Sequence, residues 1–162
     1  MARVMALQAL FEADKRTHTP ADVLKRIIDE SNVLEEAISY LQRMSEPRAI
    51  DAVEKVAKNI RLSDPYAREI VEGVTENLAK IDSLIRTYAK EFPIQQLSAV
   101  DRNVLRVAIW ETLFDNKNPS KVIINEAVEI AKIFGTETSS KFVNGVLGSV
   151  LSAEAERKLE IN

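Results

Sequence analysis

The chain has 162 residues, 46 % of them hydrophobic, and a formal net charge of −3. That suffices for one packed domain of ordinary size, and only four glycines and five prolines point to helices rather than a turn-rich sheet. With no cysteine and one histidine, His18 in "KRTHTP", disulfides, thiolate nucleophiles and the usual Cys- or His-rich metal sites are excluded.

Val4, Leu7, Leu10 and Phe11 fall at helical spacing and predict a short first helix. "THTP" ends it, and Pro20 suits the first turn of a second helix with Thr19 as its cap. Val23, Leu24, Ile27 and Ile28 form that helix's stripe. Val33, Leu34, Ile38 and Leu41 continue the pattern, and Pro47 opens a further helix carrying Ile50, Val53, Val56, Ala57 and Ile60. The charged, mildly amphipathic region of about 31–62 reads as an added helical hairpin.

In "LSDPYAREIVEGV", Ser63 or Asp64 is the expected cap and Pro65 the first helical residue. Ile70, Val71, Val74 and Leu78 stripe this helix, and Ile81, Leu84, Ile85, Tyr88 and Ala89 the next, with Gly73 and Asn77 allowing a bend. Pro93 ends the stretch. Ser98, three residues before Asp101, is nearly a capping box. From Val104 to Phe114 only Arg106, Glu111 and Thr112 are polar, so this helix belongs at the centre of a bundle. Arg106 and Trp110, four apart, suggest a cation–π pair.

Asn118–Pro119 starts a helix striped by Ile123, Ala127, Ile130, Ala131 and Phe134, with Gly135 expected as its left-handed terminal residue. Thr138 or Ser139 caps the last helix, striped by Val143, Val146, Leu147, Val150 and Leu151; a loose polar tail, 152–162, is expected beyond. Every long segment follows the helical period and none alternates. The fold class expected is all-α.

Candidate chemistry is sparse. There is no Gly-rich phosphate loop, no Ser/His/Asp set can be built around one loop histidine, and acid pairs such as Glu35–Glu36 sit on charged helix faces. No catalytic residue, metal ligand or cofactor is expected. No apolar run approaches the ~20 residues of a membrane span, and the N-terminus lacks the basic-then-apolar order of a signal peptide. A cytoplasmic chain with no membrane association is the expectation. The net charge argues against strong nucleic-acid binding, and between Pro93 and Leu151 the basic and acidic residues cancel.

One stretch asks for more than a turn. "FGTETSSKFVNGVL", Phe134 to Leu147, leads from a polar connector into a lysine beside a phenylalanine, then into the small residues Asn144, Gly145, Gly148 and Ser149. A helix N-terminus attracts anions, Lys141 adds charge, and Phe142 offers a flat face for a base. On spacing alone, Phe142 at the edge of the stripe reads more readily as a core residue. The small residues read as room for a close neighbour.

"MALQALFEAD", "VDRNVLRVAIWETLF", "KVIINEAVEIAKIFG" and "TSSKFVNGVLGSVL" together resemble the NusB family of bacterial transcription antitermination factors. The resemblance covers residues 1–15 and about 64–151 and leaves 31–62 apart as an elaboration. It implies an all-α fold of two packed helical subdomains, here 1–78, which includes the added segment, and 79–151. It implies no catalysis. It implies binding to the box A element of ribosomal RNA leader transcripts, with NusE, a small-subunit ribosomal protein, as partner. Through other Nus factors, it implies action on the RNA polymerase elongation complex in rRNA operons.

Position by position, Arg3 is what remains of an arginine-rich RNA-contacting segment in relatives. Thr138, Lys141 and Phe142 match RNA-side positions. Asp101, read as an exposed first-turn acid, and Phe11 match partner-contact positions, while helix-end chemistry and core packing account for them equally well. Two rival readings remain at this point. One is a helical protein-interaction adaptor without RNA contact, favoured by the net charge and the solitary Arg3. The other is a NusB-like piece of an RNA cytosine methyltransferase, for which the chain lacks a Gly-rich cofactor loop and a cysteine.

Overall fold

The computed structural model describes residues 1–15, 18–30, 39, 42–43, 47–90 and 92–160. Among the described residues there are seven α-helices, one π-helical turn and no strand. The contacts divide them into two compact units, Met1–Glu72 and Gly73–Asn162.

In the first unit, α1 (Ala2–Ala13) packs against α2 (Pro20–Glu30). Met5, Ala6, Leu7, Ala9 and Leu10 of α1 and Val23 and Leu24 of α2 are buried. The cap of α2 forms as its sequence predicts. Thr19 Oγ1 accepts from the Asp22 amide at 3.2 Å and donates to Asp22 Oδ2 at 2.7 Å. That hydroxyl bond holds the Asp22 carboxyl below the ordinary carboxylate range.

The third helix, α3, runs from Pro47 to Glu76 as one element of 30 residues. Pro65 lies inside it and does not open a new helix as the sequence suggested. Its missing N–H removes one bond of the ladder. Ala57, Ala67, Ile70 and Val71 are buried on either side of it, so an apolar face continues past the proline. The expected stripe at Val33, Leu34, Ile38 and Leu41 lies outside the described residues.

The second unit begins within the last turns of α3. The expected boundary after residue 78 follows the helix break, which is real: Asn77 separates α3 from α4 (Leu78–Tyr88), and its Nδ2 donates to Gly73 O at 2.8 Å. The contacts change earlier because Gly73 already lies against Trp110. A methyl group built on Gly73 would overlap the indole at Cε2, Nε1 and Cζ2.

Helix α5 (Ala99–Trp110) is the centre of this unit and packs against α4, α6 (Ser120–Phe134) and α7 (Ser139–Glu160). Leu105 and Ile109, with Ile81 and Ile85 of α4, Ile123 of α6 and Val143 and Val150 of α7, make its buried core. Arg106 does not turn to Trp110 as expected. Its guanidinium forms a two-point pair with Asp82, Nε to Oδ1 at 2.8 Å and Nη2 to Oδ2 at 2.9 Å, and Nη1 donates to Asn103 Oδ1 at 3.0 Å. A charge this deep needs a carboxylate more than a ring face.

After Trp110 the chain widens into a π-helical turn, Glu111–Asp115, closed by Asn116 in the left-handed region at φ 54°. Gly135, expected there for α6, is extended instead, with φ −93° and ψ −161°. The residues after Leu151 continue α7 to Glu160; the tail is helical where a loose segment was expected. Among the described residues no helix is long and apolar enough to cross a membrane.

Candidate nucleic-acid interface

The connector between α6 and α7 is held by hydroxyl groups. Ser139 is almost fully buried. Its Oγ accepts from the Thr136 amide at 2.8 Å and lies 3.1 Å from Thr136 Oγ1, while its own amide donates to Thr136 O at 3.1 Å. Thr138 Oγ1 is 3.3 Å from Thr136 Oγ1, and Thr138 O accepts the Phe142 amide at 3.1 Å. Ser139 is therefore a lock on the connector more than a plain cap. Gly135 is needed for space, since a Cβ there would crowd Ser139 Oγ and the Ala131 carbonyl.

With the connector locked, α7 starts in one place and delivers Lys141 and Phe142 on its first turn. Lys141 is exposed and Phe142 half-buried. Opposite stands Phe92, from the link between α4 and α5, with its ring edge-on to Phe142 at a centroid distance of 6.4 Å and an interplanar angle of 76°. That link is itself tied down: Gln96 N donates to Pro93 O at 2.8 Å, and Arg102 Nη1 reaches the carbonyls of Ile94 and Leu97.

Between these walls lies an open groove of about 1100 Å³, lined among others by Phe92, Asp101, Thr138, Lys141, Phe142 and Gly145. Asp101 enters it from the first turn of α5. The helix starts as its sequence predicts, with the Asp101 amide donating to Ser98 Oγ at 3.0 Å. The side chain is not the exposed acid expected. Asp101 is 9 % exposed, and among the described residues no hydrogen-bond donor reaches its Oδ1. A buried carboxylate oxygen left in this state costs free energy until a donor arrives. Tertiary packing puts it there, which helical spacing alone does not reveal.

Thr138, Lys141, Phe142 and Asp101 thus share one groove. Arg3 and Phe11 belong to α1 in the other unit. Arg3 lies over the Tyr66 ring at 6.0 Å, and Lys15 Nζ lies 4.1 Å from the half-exposed ring of Phe11. Among the described residues, the small residues of α7 do not admit a close neighbour: a Cβ on Gly145 or Gly148 would meet nothing within 4 Å. Phe92 and Lys90 of the groove escaped the sequence reading, which took Pro93 only as a stop. An aromatic directly before a connector proline was the available signal. Among the described residues no cluster of three His, Cys, Asp or Glu could hold a metal.

An all-helical chain with an aromatic, lysine-rimmed groove at a helix N-terminus is of the kind that binds a partner or a polymer. A family model described as the NusB family matches residues 1–152. The transcription antitermination protein NusB of Dehalococcoides mccartyi strain CBDB1 is 41 % identical over 155 residues, covering 96 % of this chain and 90 % of that protein. Among solved structures, NusB of T. maritima superposes with a TM-score of 0.69 at 35 % identity, covering 92 % of this chain and 87 % of that one. A chain in the crystal structure of antitermination factors NusB and NusE in complex with dsRNA superposes with a TM-score of 0.70 at 26 % identity, covering 94 % of each. The chain belongs to the NusB family. The family match runs through the segment 31–62.

Proposed function

We propose that this chain is a transcription antitermination factor that binds RNA together with NusE and performs no catalysis. Lys141 and Phe142 are assigned to RNA with Thr138 beside them, and Arg3 adds a phosphate contact from α1. The observation that carries this reading is the first turn of α7, where an exposed lysine and a half-buried ring meet a helix N-terminus at an open groove. Backbone amides and Lys141 favour phosphate, and the ring favours an unpaired base.

Asp101 and Phe11 are assigned to NusE. The unpartnered oxygen of Asp101 favours a ligand rich in N–H donors, as a basic ribosomal protein is. The RNA is read as box A of rRNA operons, and the complex as acting in the cytoplasm on the RNA polymerase elongation complex through other Nus factors. The solved assembly of NusB, NusE and dsRNA supports the pairing of these two ligand classes. Fluorescence anisotropy of labelled box A RNA, titrated with the chain alone and with NusE, tests the reading. Tighter binding with NusE is expected; no binding in either case would overturn it.

A further inference from the structure

Phe11 is the ring assigned above to NusE, and it is not bare. Lys15 covers it, with Nζ 4.1 Å from the ring centroid. The chain makes this contact for local reasons. Helix α1 ends at Ala13, but Asp14 keeps right-handed helical angles, φ −59° and ψ −22°, and its amide donates to Leu10 O at 3.0 Å. The Lys15 amide donates to Glu12 O at 3.1 Å. Lys15 therefore stands about one helical turn beyond Phe11, the spacing at which side chains meet.

The ordinary partner for Lys15 is Glu12, three residues before it. That carboxylate is already engaged. Arg26 of α2 binds Glu12 Oε2 at 2.5 Å, and Gln8 Nε2 donates to Glu12 Oε1 at 3.2 Å. Arg26 also reaches Glu30 Oε1 at 3.0 Å. Among the described residues no carboxylate pairs with Lys15, and the ring of Phe11 is the seat left to its ammonium. Leu7, Ala9 and Leu10 are buried, so in the second half of α1 the accessible strip runs through Gln8, Phe11, Glu12 and Lys15. A partner that reaches Phe11 meets Lys15 on it.

We propose that Lys15 is a removable lid on Phe11 that sets the affinity and selectivity of the NusE contact: the ammonium leaves the ring before an apolar side chain of the partner takes its place. The proposal rests on the assignment of Phe11 to NusE. Lys15 is exposed and its stem is flexible. At an exposed site a cation over a ring is worth a factor of about two to five, so the lid opens readily. A basic partner gives the displaced ammonium no favourable neighbour, and the lysine therefore opposes NusE. The lid also fills the seat that an arginine or lysine of any basic chain would take on an open ring. It turns cationic side chains away from Phe11 and reserves the ring for an apolar one.

Calorimetry with NusE and NMR of the full chain test the lid together. Lys15→Ala is expected to tighten NusE binding about two- to fivefold and Lys15→Glu at least as much. Lys15→Arg is expected to leave it unchanged or weaker, since a guanidinium covers a ring as an ammonium does. In the free chain the ring should shift the Lys15 ε-methylene protons upfield, and that shift should vanish in Phe11→Leu and on saturation with NusE. Weaker binding by Lys15→Ala would make the lysine a contact, and unchanged binding would make it a bystander; either result overturns the lid. Tighter binding with the upfield shift retained in the complex would mean charge repulsion alone and overturns it as well. Parent-like NusE binding by Phe11→Ala removes the assignment of Phe11 and the lid with it. Weakened binding by Phe11→Ala beside unchanged binding by Lys15→Ala removes the lid and leaves that assignment standing.

Discussion

The indole of Trp110 lies directly on the backbone of Gly73, so closely that any side chain at residue 73 would occupy the space of the ring. Trp110 is 7 % exposed at the end of the central helix. Gly73 sits inside a helix, where alanine is normally better by about 1 kcal/mol. Here the sign reverses. Gly73→Ala is expected to lower stability by about 1–3 kcal/mol, the usual range for overpacking. Urea unfolding measures it, and an unchanged midpoint would mean that the indole moves aside freely.

Arg106 and Asp82 make a second long-range link. The arginine side chain is 9 % exposed and that of Asp82 17 %. Asp82→Ala leaves the guanidinium buried with Asn103 as a neutral partner, and removal of one member of a buried pair costs about 3–5 kcal/mol. Replacing both partners together with apolar residues is expected to cost less than this single change. A double-mutant cycle in denaturant checks both statements.

Ser139→Ala removes the acceptor of the Thr136 amide. Thr136 is exposed, so water replaces the lost acceptor and the change is expected to cost about 0.5–1.5 kcal/mol, the net value of one hydrogen bond. The connector is the platform for Lys141 and Phe142, so RNA affinity is expected to fall along with the melting temperature. Wild-type RNA binding in a folded Ser139→Ala chain would show that the lock does not position the site.

Asp101 should separate stability from binding. Asp101→Ala removes a favourable first-turn charge of about 0.3–1 kcal/mol but also a buried oxygen without a donor, worth about 1–3 kcal/mol. The isolated chain is expected to be as stable as its parent or more so, while NusE binding weakens. Calorimetry and thermal unfolding read the two effects. A destabilised chain with unchanged NusE affinity would place the carboxylate in folding alone.

Lys141 should show in the salt dependence. Each phosphate contact to single-stranded RNA contributes about 0.7 to the log–log slope. Lys141→Ala is expected to lower the slope by about that amount. Phe142→Ala should reduce affinity by about 1–3 kcal/mol with the slope unchanged, since a stacked ring releases no counterions. Equal slopes for parent and Lys141→Ala would take the lysine off the phosphate backbone.

Much of the architecture was legible from residues alone because it depends on local chemistry. Helical periodicity marked the stripes of α5, α6 and α7, and Thr19 and Ser98 announced their caps, since a cap needs only its own helix. The Lys141–Phe142 step drew attention because it exceeds what a turn requires. Other features depended on residues far apart in sequence. Pro65 looked like a helix start because local propensity favours it there, but the apolar face from Ala57 to Val71 carries the helix past it. Gly135 looked like a left-handed terminus, and only the position of Ser139 shows that it is needed for space. Arg106 had an aromatic four residues away and a carboxylate on another helix; burial decided for the carboxylate. Asp101 read as an exposed first-turn acid but is buried by packing, and Phe92 drew no reading until its ring met Phe142. Sequence determined which segments are helical and which residues carry charge or a ring, because those properties belong to single residues and their near neighbours. Which of these residues share a groove, and which buried oxygen there lacks a donor, was decided by tertiary packing, because burial and pairing arise only when distant segments meet.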